Sequence, residues 1–369
     1  MENTKNEANG TKIACTSCGA YLTYKPGTQH LSCEYCGFEN EIPALQEEIE
    51  ELDYSAFLNN EVSGATYSEE FVQCESCKAT STLSSNLTSA FCPYCSTPLI
   101  IENAYRENII QPKSLLPFKL DLQLAKNEFD QWIKKLWFAP NNLKKSLSLD
   151  NFKGIYIPYW TYDTRTFTKY TGERGEYYYT TETYTTTENG KQVSKTREVR
   201  HTRWYTANGA VRLLFDDILV TATRSLPEKY VQNLEPWDMD NLVPFDKSYL
   251  SGFITEKYQI GLKEGFEIAQ KMSSPEIKRA ILNDIGGDEQ RITATKTTYS
   301  NITFKHLLFP VYVSVYKYNN KVYQFLVNGR TGEVQGQRPY SAVKIFFAVV
   351  ITLIIILLAV LYFKNQQPS

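Results

Sequence analysis

The chain has 369 residues, 42% of them apolar, which is enough for two or three domains and a sizeable core. Its net charge of −2 hides an asymmetry: residues 1–110 carry 16 Asp/Glu against 5 Lys/Arg, and residues 111–369 carry 25 against 34. So acidic a first part argues against polyanion binding there, because a nucleic acid needs a basic face that releases counterions.

Residues 1–12 are polar and read as a disordered tail, without the apolar stretch of a secretory signal. All eight cysteines then fall in two copies of one pattern, 59 residues apart. The first is Cys15-x2-Cys18, fourteen residues, Cys33-x2-Cys36. The second is Cys74-x2-Cys77, fourteen residues, Cys92-x2-Cys95. Two thiolates in a tight turn grip one ion, and a second pair returned by a hairpin closes a tetrahedral cage. The spacing therefore predicts two zinc ribbons, over 13–41 and 71–100, each holding one structural Zn2+ with no open ligand position. Disulfides are the alternative; free thiolates imply a reducing compartment. Gly19 and Gly37 follow the second cysteine of their pairs, where a knuckle needs positive φ, whereas Lys78 and Ser96 stand at the equivalent places.

Between the ribbons, 42–70 reads as an acidic helical linker, with Leu45, Ile49, Leu52 and Ala56 forming one stripe of a helix over 44–58. Residues 101–116 read as a second linker. From 117 to 340 the pattern predicts a β-rich α+β domain. It opens on a helix from Asp121 to about Phe138 and continues with aromatic strands over 155–170. Asn189-Gly190 signals a projecting hairpin, 176–204, whose second arm carries Lys191, Lys195, Arg197, Arg200 and Arg203. That arm is either a solvated surface or a binding edge for an acidic partner, lipid head groups or the protein's own ribbons. Strands follow over 205–225, then a helix over 254–272 and another opened by Ser274-Pro275 and ended by Gly286. Strands return at 302–318 and 321–327 across Asn319-Asn320. Leu116-Pro117-Phe118 before a helix and Ile157-Pro158-Tyr159-Trp160 matches Val243-Pro244-Phe245 before helices and Phe309-Pro310-Val311-Tyr312, which suggests two related halves.

Residues 344–363 read as a transmembrane helix. Ile345 to Phe363 is free of charge and about 28 Å long as a helix, close to bilayer thickness. With only residues 364–369 beyond it, this looks like a tail anchor. Cations on its N-terminal side favour a single-pass protein of the cell membrane with a cytoplasmic body. A buried core helix is the alternative. No catalytic constellation accompanies these features. His30, His201 and His306 are scattered, and Asp216-Asp217 and Asp238/Asp240 suit turns. Gly286-Gly287 lacks the Lys-Ser/Thr of a phosphate loop, and Gly172/Gly175 is no dinucleotide fingerprint. No enzyme, and no small-molecule substrate, is expected.

The paired ribbons, IYIPYWTYDTRTFTKYTGERGEYY, RLLFDDILV, YQFLVNGRTGEVQGQRPYSAVKI and the terminal apolar run together resemble a group of bacterial membrane-anchored double zinc-ribbon proteins. Members often carry helicase-like, primosomal or TFIIB-type ribbon names, for which this chain lacks a Walker A loop. The resemblance implies a scaffold in a membrane-stress module. Its partners there would be SPFH/flotillin-like proteins, phage-shock coiled-coil proteins and a TPM-domain membrane protein. It also implies zinc ligation by Cys15, Cys18, Cys33 and Cys36, and by Cys74, Cys77, Cys92 and Cys95. A membrane-associated nucleic-acid-binding regulator is the runner-up, resting on the basic arm 191–203.

Overall fold

The computed structural model describes residues 13–43, 48–59, 65–82, 91–140, 152–188, 191–318 and 321–365. The tail expected over 1–12, the start of the 44–58 helix, both Asn-containing hairpin turns and the last four residues lie outside them. In the first ribbon β1 (Thr23–Tyr24), β2 (His30–Ser32) and β3 (Glu39–Glu41) form a small sheet. Next come β4 (Leu52–Asp53) and α1 (Tyr54–Leu58). Among the described residues of the helix expected over 44–58, only the last five are helical. Leu52 is buried and pairs with Phe304 of the main sheet, and the Asp53 carboxylate caps α1 by accepting from Ala56 N at 2.7 Å. Tertiary pairing here overrides the helical periodicity. The second ribbon reaches further than its cysteines suggest. Its sheet orders β6 (Thr80–Thr82), β5 (Thr66–Gln73) and β7 (Tyr105–Ile110), so parts of both expected linkers are strands.

The body follows as β8 (Ser114–Leu115), α2 (Leu122–Lys135), β9 (Lys153–Glu188), β10 (Lys191–Thr221), α3 (Glu228–Gln232), β11 (Val243–Pro244) and β12 (Ile254–Thr255). It ends with α4 (Leu262–Ile285), β13 (Glu289–Tyr318), β14 (Lys321–Asn328), β15 (Val334–Gly336) and α5 (Ala342–Asn365). The fold is α+β, as the sequence predicts: one large sheet in the order β10-β9-β13-β14-β15, two four-cysteine clusters and a C-terminal apolar helix. The hairpin 176–204 is the outer end of β9 and β10, which stay in register from Glu188↔Lys191 down to Thr164↔Phe215. The two helices expected over 254–286 are a single α4. Pro275 sits inside it, and buried Phe266, Ala269, Ser273, Ile277, Ile281 and Ile285 keep one stripe on both sides of the proline. Continuous packing outweighs the one backbone bond that Pro275 cannot donate. Gly286 ends the helix at φ +64, as expected.

Alternation along β9 and β13 feeds both faces of the sheet. Tyr156, Leu308 and Tyr312 face α2 and ribbon 1, together with Leu22, Tyr24, Phe118 and Phe129. Ile155, Ile157, Tyr159, Leu307, Phe309, Val311 and Val313 face ribbon 2 and α3, together with Tyr94, Val231 and Leu234. The two ribbons therefore cover opposite faces and share the body's core.

The body has a two-fold arrangement of strands, and its alignment differs from the one the sequence suggests. β8 pairs in parallel with β13 (Ser114↔Leu307, Leu115↔Leu308), and β12 pairs in parallel with β9 (Ile254↔Ile155, Thr255↔Tyr156). Leu122 and Leu262 open the two helices. Between the long strands Pro158 faces Leu308 and Pro310 faces Tyr156, a two-fold arrangement centred on Ile157 and Phe309. The match of Ile157-Pro158 with Phe309-Pro310 thus holds. Val243-Pro244, however, is not the counterpart of Leu116-Pro117; it pairs with β8 as β11.

Candidate metal centres

The four knuckles share one geometry. The carbonyl of the first cysteine accepts the N–H two residues past the tight turn's centre: Gly19 to Cys15 at 2.9 Å, Gly37 to Cys33 at 3.0 Å, Lys78 to Cys74 at 2.9 Å and Ser96 to Cys92 at 2.9 Å. The N–H of the first cysteine donates in turn to the carbonyl of Ala20, Phe38, Ala79 or Thr97. Folding back this tightly sends Gly19, Gly37, Lys78 and Ser96 to φ +75, +72, +62 and +59. Glycine accepts that region freely; for Lys78 and Ser96 it costs about 1–2 kcal/mol each.

All eight predicted ligands are brought together, four by four. The sulfurs of each quartet lie within 4.8 Å of one another. Cys15 to Cys36 is 3.7 Å, Cys18 to Cys33 3.5 Å, Cys74 to Cys95 3.6 Å and Cys77 to Cys92 3.5 Å. A disulfide would need about 2.05 Å. A tetrahedron with Zn–S bonds of about 2.3 Å has edges near 3.8 Å. The donor set therefore fits a tetrahedral Zn2+ in each ribbon, with four sulfurs and no position left for a substrate. Coordination needs thiolates. Without an ion the thiols share protons unequally: Cys77 is drawn down to about 5, first by the Cys92 thiol against its sulfur, which pushes Cys92 up, and Cys33 is drawn down to about 7 by the Cys36 backbone N–H.

Hydrogen bonds of backbone and hydroxyl groups clamp both ribbons to the body. Tyr24 N donates to Ser251 O at 2.9 Å, Ser251 Oγ to Leu22 O at 2.6 Å and Gly27 N to Phe118 O at 2.9 Å. For ribbon 2, Lys257 N donates to Thr80 O at 3.0 Å and Thr255 N to Thr82 Oγ1 at 3.0 Å. The second knuckles of the two ribbons then diverge. Tyr94, inside Cys92-x2-Cys95, is 0% exposed; its ring packs into the sheet and its phenol lies beside the buried Glu256 carboxyl. Tyr35 occupies the same place 59 residues earlier and is 85% exposed, with Phe38 exposed next to it.

The remaining candidates do not converge. His30 lies in ribbon 1, and His201 bonds Thr180 at 2.8 Å on the hairpin. His306 is buried with Nδ1 2.9 Å from Ile110 O, and burial pushes it down to about 4. Asp217 forms part of a carboxylate cluster with Glu51 and Asp163 that sequence spacing could not reveal. The cation there is Lys305, with Nζ 2.8 Å from Glu51 Oε1 and 2.8 Å from Asp217 Oδ1. Asp238 holds Arg330, which also donates to Pro117 O at 3.1 Å and so ties three distant segments. Neither network has a local sequence signal, because its members are far apart in the chain.

At the other end, Ala342–Tyr362 is long and apolar enough to cross a membrane, and none of it is buried against the body. A core helix of this composition would be covered; this one is bare. The Thr352 hydroxyl, Oγ1, returns to Ala348 O at 2.9 Å, which would lower the cost of placing it in lipid.

Fold and sites define an α+β protein with two four-cysteine centres of zinc-ribbon geometry and a C-terminal apolar helix. The chain is similar to the uncharacterized protein YdjG of Bacillus subtilis (strain 168), 26% identical over 245 residues. That stretch covers 64% of this chain and 66%, just under two thirds, of YdjG. No family model and no solved structure matches the chain.

Proposed function

We propose that the protein is a membrane-tethered, non-enzymatic adaptor whose first zinc ribbon docks a cytoplasmic partner protein. The contrast between Tyr94 and Tyr35 carries this reading. The same knuckle occurs twice, and in ribbon 2 it binds protein by burying its tyrosine in the body. In ribbon 1 that aromatic tip is left bare on a zinc-stiffened turn, where it forms a rigid anchor suited to an interface. The partner class is the one the family resemblance implies: an SPFH-type, phage-shock-type or TPM-domain protein. Zinc supplies rigidity here and takes no part in chemistry.

The test is co-purification of such a partner with the full chain from membranes. Tyr35→Asp should abolish co-purification while leaving the zinc content unchanged; a partner retained by that variant contradicts the reading. A nucleic-acid role draws support from Arg197, Arg200 and Arg203, which lie over the rings of Tyr184, Tyr177 and Tyr178. However, residues 176–204 also contain four carboxylates against five cations, and Arg197 is paired with Glu182 at 3.0 Å. Those carboxylates offset the field a polyanion would need.

A further inference from the structure

The turn that ends α2 is fastened to the first turn of α5. Ser341 N donates to Phe138 O at 2.8 Å, and Lys344 Nζ donates to Trp137 O at 3.1 Å and Ala139 O at 2.8 Å. Leu136 and Ala139 are buried in the core beneath α2. Pinned between them, Trp137 is 78% exposed, and Phe138 and Tyr340 are exposed at the same junction. Lys134 and Lys135 close α2, and Arg338 lies over the Tyr340 ring at 5.5 Å. The other four tryptophans are buried or half-buried.

The depth of this cluster follows from the helix it is bonded to. The uncharged run of α5 begins at Ile345, one residue beyond Lys344. Ser341 is about 6 Å further back along the axis. Indole and phenol rings settle at the head-group level of a bilayer, and cations beside them suit lipid phosphates. We propose that Trp137, with Phe138 and Tyr340, forms a second membrane contact, an aromatic collar seated in the interface of the bilayer that α5 crosses. This rests on α5 being a span. A single helix leaves tilt and rotation open; a collar held by three hydrogen bonds fixes how the body, and with it ribbon 1, stands over the lipid.

The experiment uses the full chain in phosphatidylcholine vesicles whose acyl chains are brominated close to the head group. Vesicle flotation after an alkaline wash reads the anchor alone, and tryptophan quenching reads the collar. Wild type should float and be quenched, and Trp137→Phe should float equally well but lose most of the quenching. Quenching unchanged in the floating Trp137→Phe protein overturns the collar and leaves the anchor standing. A wild-type chain that does not float overturns both.

Discussion

Lys78 and Ser96 hold their knuckles in left-handed backbone where ribbon 1 has glycine. Lys78→Gly and Ser96→Gly should each stabilise the protein by about 1 kcal/mol, read as a rise in denaturation midpoint; a fall would show that their side chains matter more than the strain. The two knuckle tyrosines make the opposite test. Tyr94→Ala empties a fully buried site and should cost about 3–5 kcal/mol, while Tyr35→Ala should leave the midpoint within about 0.5 kcal/mol. Asp163 gives the pH dependence. Burial, then the neighbouring Glu51, pushes its carboxyl up from 3.8 to about 7. A raised acid contributes stability that is complete below its unfolded value and is lost as pH climbs through its folded one. Between about pH 4 and 7 the Asp163 contribution falls with rising pH, as does that of buried Glu256, raised to about 7. Buried His306, pushed down to about 4, contributes the opposite slope. Asp163→Asn should therefore make the midpoint fall less, or rise more, with pH across that window than it does in the wild type. Glu51 is held down to about 2: burial opposes the shift, but hydrogen bonds from Asp163, Lys305 and Thr303 win. Its contribution is present above its unfolded 4.5 and disappears only as pH falls towards 2, so it leaves the Asp163 window alone.

At the scale of elements, the ribbons share side chains with the body. Leu22, Tyr24 and Leu31 lie in one cluster with Phe118 and Tyr156, and Tyr94 lies in another with Phe309. Stripping metal with a chelator under reducing conditions should therefore loosen more than the ribbons. Amide exchange should rise at β12 and in the 249–257 segment that both ribbons grip, and it should stay unchanged at the outer hairpin. Unchanged exchange over 249–257 would mean that the ribbons are separate beads. The knuckles were legible in the sequence because coordination chemistry fixes both residue type and spacing. The helix over 44–58 was not, because Leu52 pairs with a strand 252 residues away. Likewise, the Ser274-Pro275 signal marks a helix start only when the preceding turn lacks a core to pack on, and Phe266 and Ala269 provide one.

For the whole molecule, one sheet is covered on both faces by ribbons, and its own strands follow an internal two-fold arrangement. The correspondence of Ile157-Pro158 with Phe309-Pro310, which face each other in the sheet, could be read from the sequence. The rest of the alignment could not: the helix-leading strands share no residues, Ser114-Leu115 against Ile254-Thr255, and are equated only by their pairing partners. The exposed apolar helix was legible from length and charge, whereas the Trp137 turn beside it is a tertiary product of bonds to Ser341 and Lys344. What unites these parts is sulfur geometry that holds two small sheets against a body ending in a helix long and apolar enough to cross a membrane. The most direct measurement is the metal content of the purified, reduced full-length chain, with its thiols titrated in parallel. The structure predicts two equivalents of zinc per chain and eight thiols recovered after the metal is displaced; fewer than two equivalents, with cysteines joined to one another, would contradict it.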